Sequence, residues 1–156
     1  MNTIEKLISQ KKFKNSYHKN MISLLYTVNL INSHQDSIFK DSKITKQQYN
    51  ALRILKGQYP EPSTIGLIKE RLIDKNSDAS RMVDRLCKLE FIERLASKTD
   101  KRAADVRITK KGLKLIEKLA DKVDDLESPL KTLSKKESEI LNEILDKLLK
   151  KFIEKK

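Results

Sequence analysis

Residues 76–109 read NSDASRMVDRLCKLEFIERLASKTDKRAADVRIT, and the fold of the chain turns on this stretch. Met82, Val83, Leu86 and Leu89 recur at helical spacing, which predicts a helix opened by Asn76 or Ser77 with a polar outer face. Two strands follow, Phe91 to Ala96 and Asp105 to Thr109. In the second, Val106 and Ile108 alternate with Asp105, Arg107 and Thr109, as a half-buried strand requires. From Ser97 to Lys111 there are six basic residues against Asp100 and Asp105, a local net charge of +4 in one hairpin-sized segment.

Upstream, Thr45 and Gln48 spell a capping box before a helix carrying Tyr49, Leu52, Ile54 and Leu55 and stopping at Gly57. Pro60 and Pro62 force an extended turn. Ser63 or Thr64 then caps a third helix with Ile65, Ile68, Leu72 and Ile73 inward. Two short helices, a tight connection and a helix with Ser, Asp and Arg outward form a helix-turn-helix pattern. The basic hairpin directly after it reads as a wing.

Long helices flank this unit in sequence. One is predicted from about Ser16 to Phe39, with Tyr17, Met21, Leu24, Leu25, Val28 and Ile31 on one stripe. Its apolar band is wider than one small motif can cover, so it is expected to meet a second subunit as well. A short helix over Thr3 to Ser9 precedes it. Downstream, Thr109 caps a helix through Ile116, Leu119, Val123 and Leu126, and Pro129 ends that segment. Ser134 and Glu137 spell a second capping box, opening a last helix apolar in adjacent pairs from Ile140 to Ile153. The expected fold class is mainly α with a small β-hairpin wing: a winged helix-turn-helix flanked by long N- and C-terminal dimerisation helices. Within one domain over 1–156, the divisions fall at 1–42, 43–110 and 111–156.

Composition narrows the function. A formal charge of +12 across 156 residues attracts polyanions. No apolar run approaches the roughly 18 residues of a membrane span, and the first residues lack a secretory pattern. One cysteine makes no internal disulfide, which fits a reducing cytoplasm. Gly57, Gly66 and Gly112 are isolated, so there is no glycine-rich phosphate loop, and no nucleophile sits in a catalytic motif. His18 and His34 have no ligand spacing around them. The expectation is no enzyme, no cofactor, no metal and no membrane.

The segments ITKQQYNALRILKG, TIGLIKERLIDKNSDASRMVDRLCKLEFIERL and TDKRAADVRITKKGLKLI closely resemble the multiple-antibiotic-resistance regulator (MarR) family, over about Ile44 to Ile116. The flanking helices match only in length and order. The resemblance implies a homodimeric winged helix-turn-helix regulator, most often a repressor, on a palindromic duplex-DNA operator. It puts Ser77, Asp78, Ser80, Arg81 and Arg85 on the recognition helix and Asp100 and Arg102 in the wing motif.

The residues themselves give the same positions a chemistry. Short polar groups near a helix N-terminus and an Arg that forks onto guanine are what major-groove reading needs. A solvated surface face would look alike for the helix alone, and it is the hairpin that favours DNA. Arg102 suits a narrow minor groove, Lys98 and Lys101 suit the phosphate backbone, and Asp100 serves as a brace for the turn. The family often releases DNA when a small aromatic molecule binds. Tyr26, His34, Phe39 and Tyr49 are the residues available to such a cleft, although ordinary packing explains them more simply. Cys87 reads as a buried thiol. The rival readings are a protein-interaction module that kept the fold, and a basic surface for RNA or anionic lipid. Glu90 departs from the family pattern, which has Gly after the recognition helix for a left-handed cap, so that helix end is expected to be built differently.

Overall fold

A computed structural model describes residues 3–75, 77–97 and 104–154. The chain forms two compact units, Met1–Leu119 and Ala120–Lys156.

The first unit opens with helix α1 (Thr3–Leu7) and the long helix α2 (Ser16–Phe39). Asn15 starts α2 by accepting the His18 N–H at 2.9 Å. A five-residue helix is not stable alone. Lys19 of α2 ties α1 down through an ion pair with Glu5 at 2.6 Å. The expected capping box then opens α3 (Lys46–Lys56): the Gln48 N–H donates to Thr45 Oγ1 at 3.3 Å, and the Thr45 N–H donates to Gln48 Oε1 at 3.0 Å.

Next come strand β1 (Ser63–Thr64) and helix α4 (Ile65–Arg71), whose cap is Thr64, accepting from the Leu67 N–H at 3.1 Å. The sequence shows no strand at β1 because two residues carry no periodicity. The strand exists because β3 (Ala104–Ile108) offers an edge, with Ser63 opposite Val106 and Thr64 opposite Asp105. Strand β2 (Ile92–Ala96) pairs with the other edge of β3, Ile92 opposite Ile108 and Ala96 opposite Ala104. The sheet is antiparallel, in the order β1-β3-β2.

Between α4 and the sheet lies α5 (Ala79–Lys88). Its cap is Asp78 rather than Asn76 or Ser77: one carboxylate oxygen accepts the Arg81 N–H at 3.1 Å. Asn76 lies outside the described residues. Leu52, Leu55, Ile68, Leu72, Val83, Leu86, Val106 and Ile108 are almost free of water and form the core where α3, α4, α5 and the sheet meet. Ile73 is a correction, because it is 91% exposed instead of inward. The helical spacing stops too early for it. α4 ends at Arg71, and Leu72 is already extended (ψ 137°), so its neighbour turns outward.

The end of α5 decides how the sheet joins the helix. Glu90 has φ 61°, the left-handed conformation that usually selects Gly. Its N–H donates to Cys87 O at 2.8 Å, and the Phe91 N–H donates to Leu86 O at 3.0 Å, the paired bonds of a Schellman cap. The expected difference in construction is therefore absent, and Glu takes the glycine geometry. Tertiary contacts hold it there. Thr109 Oγ1 donates to the Glu90 carbonyl at 2.8 Å, and Lys111 reaches the Glu90 carboxylate at 2.5 Å.

Helix α6 (Lys110–Asp124) starts from the same Thr109, whose hydroxyl oxygen accepts the Gly112 N–H at 3.1 Å. Gly112 allows α6 to lie directly on the strand ends. A Cβ there would collide with the Phe91 carbonyl oxygen and stand 2.7 Å from Ile108 Cγ1.

The second unit contains two 3-10 turns, Asp125–Glu127 and Leu130–Thr132, and helix α7 (Lys135–Ile153). The second capping box is present, with the Glu137 N–H on Ser134 Oγ at 3.3 Å and the Ser134 N–H on Glu137 Oε2 at 2.8 Å. No residue of α7 is buried. Of its apolar pairs, Ile140, Ile144, Leu148, Leu149, Phe152 and Ile153 are exposed and Leu141 and Leu145 half-buried. α2 buries only Phe39, and Tyr17 on its stripe is 82% exposed. Among the described residues, no helix is long and apolar enough to cross a membrane.

Candidate nucleic-acid interface

Helix α5 is sharply two-sided. Ala79, Met82, Val83 and Leu86 are buried, which turns Ser80, Arg81, Asp84, Arg85 and Lys88 to solvent. The Arg81 side chain is 90% exposed and its Nε lies 3.2 Å from the second carboxylate oxygen of Asp78. Asp78 is thus both the cap of α5 and a tether for Arg81, which leaves it little capacity to accept from a base. Ser80 is exposed one position before Arg81, and Ser77 is half-buried just outside the helix.

Arg85 stands one helical turn beyond Arg81. It lines an open groove of about 420 Å³ together with the end of α2, the 40–45 connection and the start of α3. No ion pair engages it among the described residues. The sequence reading put Arg85 on the outer face without its neighbours, because Lys40 and Lys43 sit some forty residues away in the chain.

The wing tip, with Lys98, Asp100, Lys101 and Arg102, lies outside the described residues. Its base is well defined. Glu93 and Arg107 face each other across β2 and β3 and pair at 2.9 Å. Arg94 of β2 reaches Asp84 of α5 at 2.5 Å, fixing the β2–β3 hairpin to that helix. Sequence reasoning missed this pair. Opposite charges ten residues apart give no signal until the strand is folded against the helix.

Exposed pairs such as these contribute little individually to stability, but they set where each cation points. Glu90 illustrates the electrostatics. The hydrogen bond from Lys111, and then its charge, holds the Glu90 carboxyl below the usual carboxylate range.

Of the four residues available to an aromatic ligand, Phe39 and Tyr49 are buried with ring centroids 5.2 Å apart, packing α2 on α3. Tyr26 and His34 are half-buried along α2. Tyr26 lies thirteen residues before Phe39, about 20 Å along the helix. Only Phe39 of the four lines the groove beside Arg85. Cys87 is half-buried rather than buried. Among the described residues, no three of His, Cys, Asp and Glu gather as a metal site would require.

This arrangement has counterparts of known structure. The model of the MarR family matches residues 44–104, the span from the start of α3 to the start of β3. Residues 44–104 are thus similar to a MarR-family domain. The MarR-type likeness extends over most of the chain in solved structures. A Staphylococcus aureus MepR–DNA complex is 26% identical with a TM-score of 0.72, covering 90% of this chain and 99% of that one. A MarR transcription factor from Planctomyces limnophilus is also 26% identical, with a TM-score of 0.67 and coverage of 86% and 98%. A MarR-like protein from Bacillus cereus shares the fold at 18% identity and a TM-score of 0.73, covering 87% and 98%. Among curated proteins, none matches the chain. The matched span takes in α3, α4, α5 and β2 and reaches the first residue of β3.

Proposed function

We propose that the chain is a sequence-specific transcriptional regulator, a cytoplasmic homodimer that binds duplex DNA and acts as a repressor on a pseudo-palindromic operator. The observation that carries this reading is α5. Its apolar side is sealed into the core, and its opposite side offers Ser80, Arg81 and Arg85 to solvent. MepR, similar at 26% identity, has been crystallised with DNA, which supports the same partner here.

In this mechanism α5 enters the major groove, and Arg81 donates to a base edge while Asp78 holds it in place. The wing residues Lys98, Lys101 and Arg102 follow the backbone toward the minor groove, with Asp100 bracing the turn. The uncovered apolar faces of α2 and α7 join two copies, over 1–42 and 111–156. Two-fold symmetry then sets half-site centres about 34–36 Å apart. A small aromatic ligand at the α2–α3 junction, near His34, Phe39 and Tyr49 but out of reach of Tyr26, would release DNA by altering that spacing.

The test is binding-site selection from random duplexes, with the mass of the protein followed by sedimentation. Enrichment of one inverted repeat bound by a dimer is the expected result. Salt-sensitive binding with no sequence preference would leave only a generic polyanion binder, and no DNA binding at all would favour a protein-interaction module.

A further inference from the structure

The cations around the reading face are of two kinds. Three are already matched: Arg81 with Asp78 at 3.2 Å, Arg94 with Asp84 at 2.5 Å, Arg107 with Glu93 at 2.9 Å. The groove beside α5 reverses this balance. Lys40, Lys43, Lys46 and Arg85 line it against a single carboxylate, Asp36, leaving a net charge of +3. Asp36 is taken up by Lys46, at 3.3 Å, and Lys46 also donates to Asn32 Oδ1 at 3.0 Å. Lys40, Lys43 and Arg85 are exposed and have no ion pair among the described residues. Three uncompensated cations from two distant parts of the chain therefore converge on one opening of about 420 Å³.

We propose that this groove seats one backbone phosphate of the operator, with Arg85 and Lys43 as its principal ligands and Lys40 at its rim. The inference rests on the DNA-binding reading and divides labour within it: Arg81 reads a base, and Arg85 anchors the strand. Continuity with the reading face selects a DNA phosphate over a free anion. Arg85 is four residues beyond Arg81, about 6 Å along α5. A helix that lays Arg81 into the major groove brings Arg85 to the phosphates along that groove's edge. The opening faces solvent instead of closing over a small molecule. Arg suits the task because its planar fork grips two phosphate oxygens at once, while Lys adds a point charge. The anchor also spans two elements. Lys40 and Lys43 follow α2, so the phosphate would clamp the end of α2 to the recognition helix.

Arg85→Gln and Lys43→Gln test this on the full-length chain, with fluorescence anisotropy on the selected duplex at several salt concentrations. Neither side chain is buried or has an ion pair among the described residues, so unchanged thermal unfolding is the control. Each variant should weaken binding by about tenfold and lower the salt slope by about one unit per protomer. Base preference in a repeated selection should not change. Duplexes with one neutral methylphosphonate linkage supply the second arm. At one linkage per half-site the wild type should lose affinity, while the double variant loses nothing further.

Unchanged salt slopes in both variants would overturn the proposal, as would the lack of any linkage showing that coupling. An altered base preference for Arg85→Gln would make Arg85 a reader instead. Competition by inorganic phosphate at constant ionic strength, abolished in the variants, would assign the groove to a free anion. The two readings fail separately. If the wild type selects no site, DNA reading itself falls and the anchor with it, whereas a selected site with unmoved slopes removes only the anchor.

Discussion

The segment from α3 to β3 and the helix α7 spend their apolar residues in opposite ways. In the first, Leu52, Ile68, Val83, Leu86 and Val106 are completely buried, and the outer surface is left polar. In α7 nothing is buried, and Phe152 and Ile153 are each 71% exposed. Both sequences are amphipathic with helical spacing, so periodicity alone does not separate them. The difference is the partner. The helix-turn-helix closes its core with its own neighbours, while α7 carries an apolar face with no buried residue. A continuous exposed face of this kind marks an interaction surface. The helix-turn-helix segment is self-sufficient, and the helices proposed to pair two copies are not.

The sharpest way to break this contrast is to charge the open face. Ile144→Asp with Leu148→Asp should halve the mass seen by sedimentation and cut operator affinity by about 10²–10⁴-fold, because two linked half-sites become two separate ones. The core of the first unit should keep its stability. A variant that stays dimeric and binds normally would remove α7 from the pairing surface.

The reverse experiment targets the closed core. Leu86→Ala should destabilise the chain by about 2–5 kcal/mol in urea unfolding, since a fully buried side chain leaves a cavity. Gly112→Ala should cost about 1–3 kcal/mol by forcing α6 off the Phe91 carbonyl. Dimer mass should be unaffected wherever the protein remains folded. Values near zero would mean that the α5–sheet contact is not the stabilising seam.

Smaller effects belong to the polar face. Arg81→Ala should relax discrimination at one base pair by about 1–3 kcal/mol without altering unfolding. Arg102→Ala should weaken binding while leaving the dimer folded. If selection returned an identical motif for Arg81→Ala, the side chain would not be a base reader.

The smallest effect is acid sensitivity, and it has one probe in each region. Hydrogen bonds from Lys111 to Glu90, and from the Ser134 side chain and backbone to Glu137, lower both carboxyl pKa values. Groups depressed in the folded state stabilise it above the unfolded value, about 4.3. That contribution is lost as pH falls through the lower folded value. Wild type should therefore lose more Tm than Glu90→Gln or Glu137→Gln between about pH 5 and pH 3. Parallel curves for all three proteins would show that these bonds do not contribute in solution.

What was legible in the sequence follows from range. Thr45 with Gln48 and Ser134 with Glu137 act over three residues, and both boxes form as read. The 24-residue span of α2 and the alternation of β3 are likewise carried by neighbours a turn or a pleat apart. The cap of α5 was misplaced by one or two residues because Asn76, Ser77 and Asp78 are all capable caps. Only the backbone bond to Arg81 distinguishes them. Part of the candidate site was visible in the same way, since Arg81 and Arg85 follow from the helix period. The groove was not.

By itself, then, the sequence determined the order of the helices and of β2 and β3, the two capping boxes and the polar face of α5, because each depends on residues close in the chain. Only the tertiary structure decided that Ser63 and Thr64 form a strand, that Ile73 turns out beside a buried Leu72, and that Glu90 holds a left-handed angle. It also brought Lys40 and Lys43 to Arg85. Each of these depends on a distant partner: the edge of β3, the end of α4 against the core, Thr109 and Lys111, and the end of α2. Chain closure rather than local preference sets those distances, so no spacing rule along the sequence carries them.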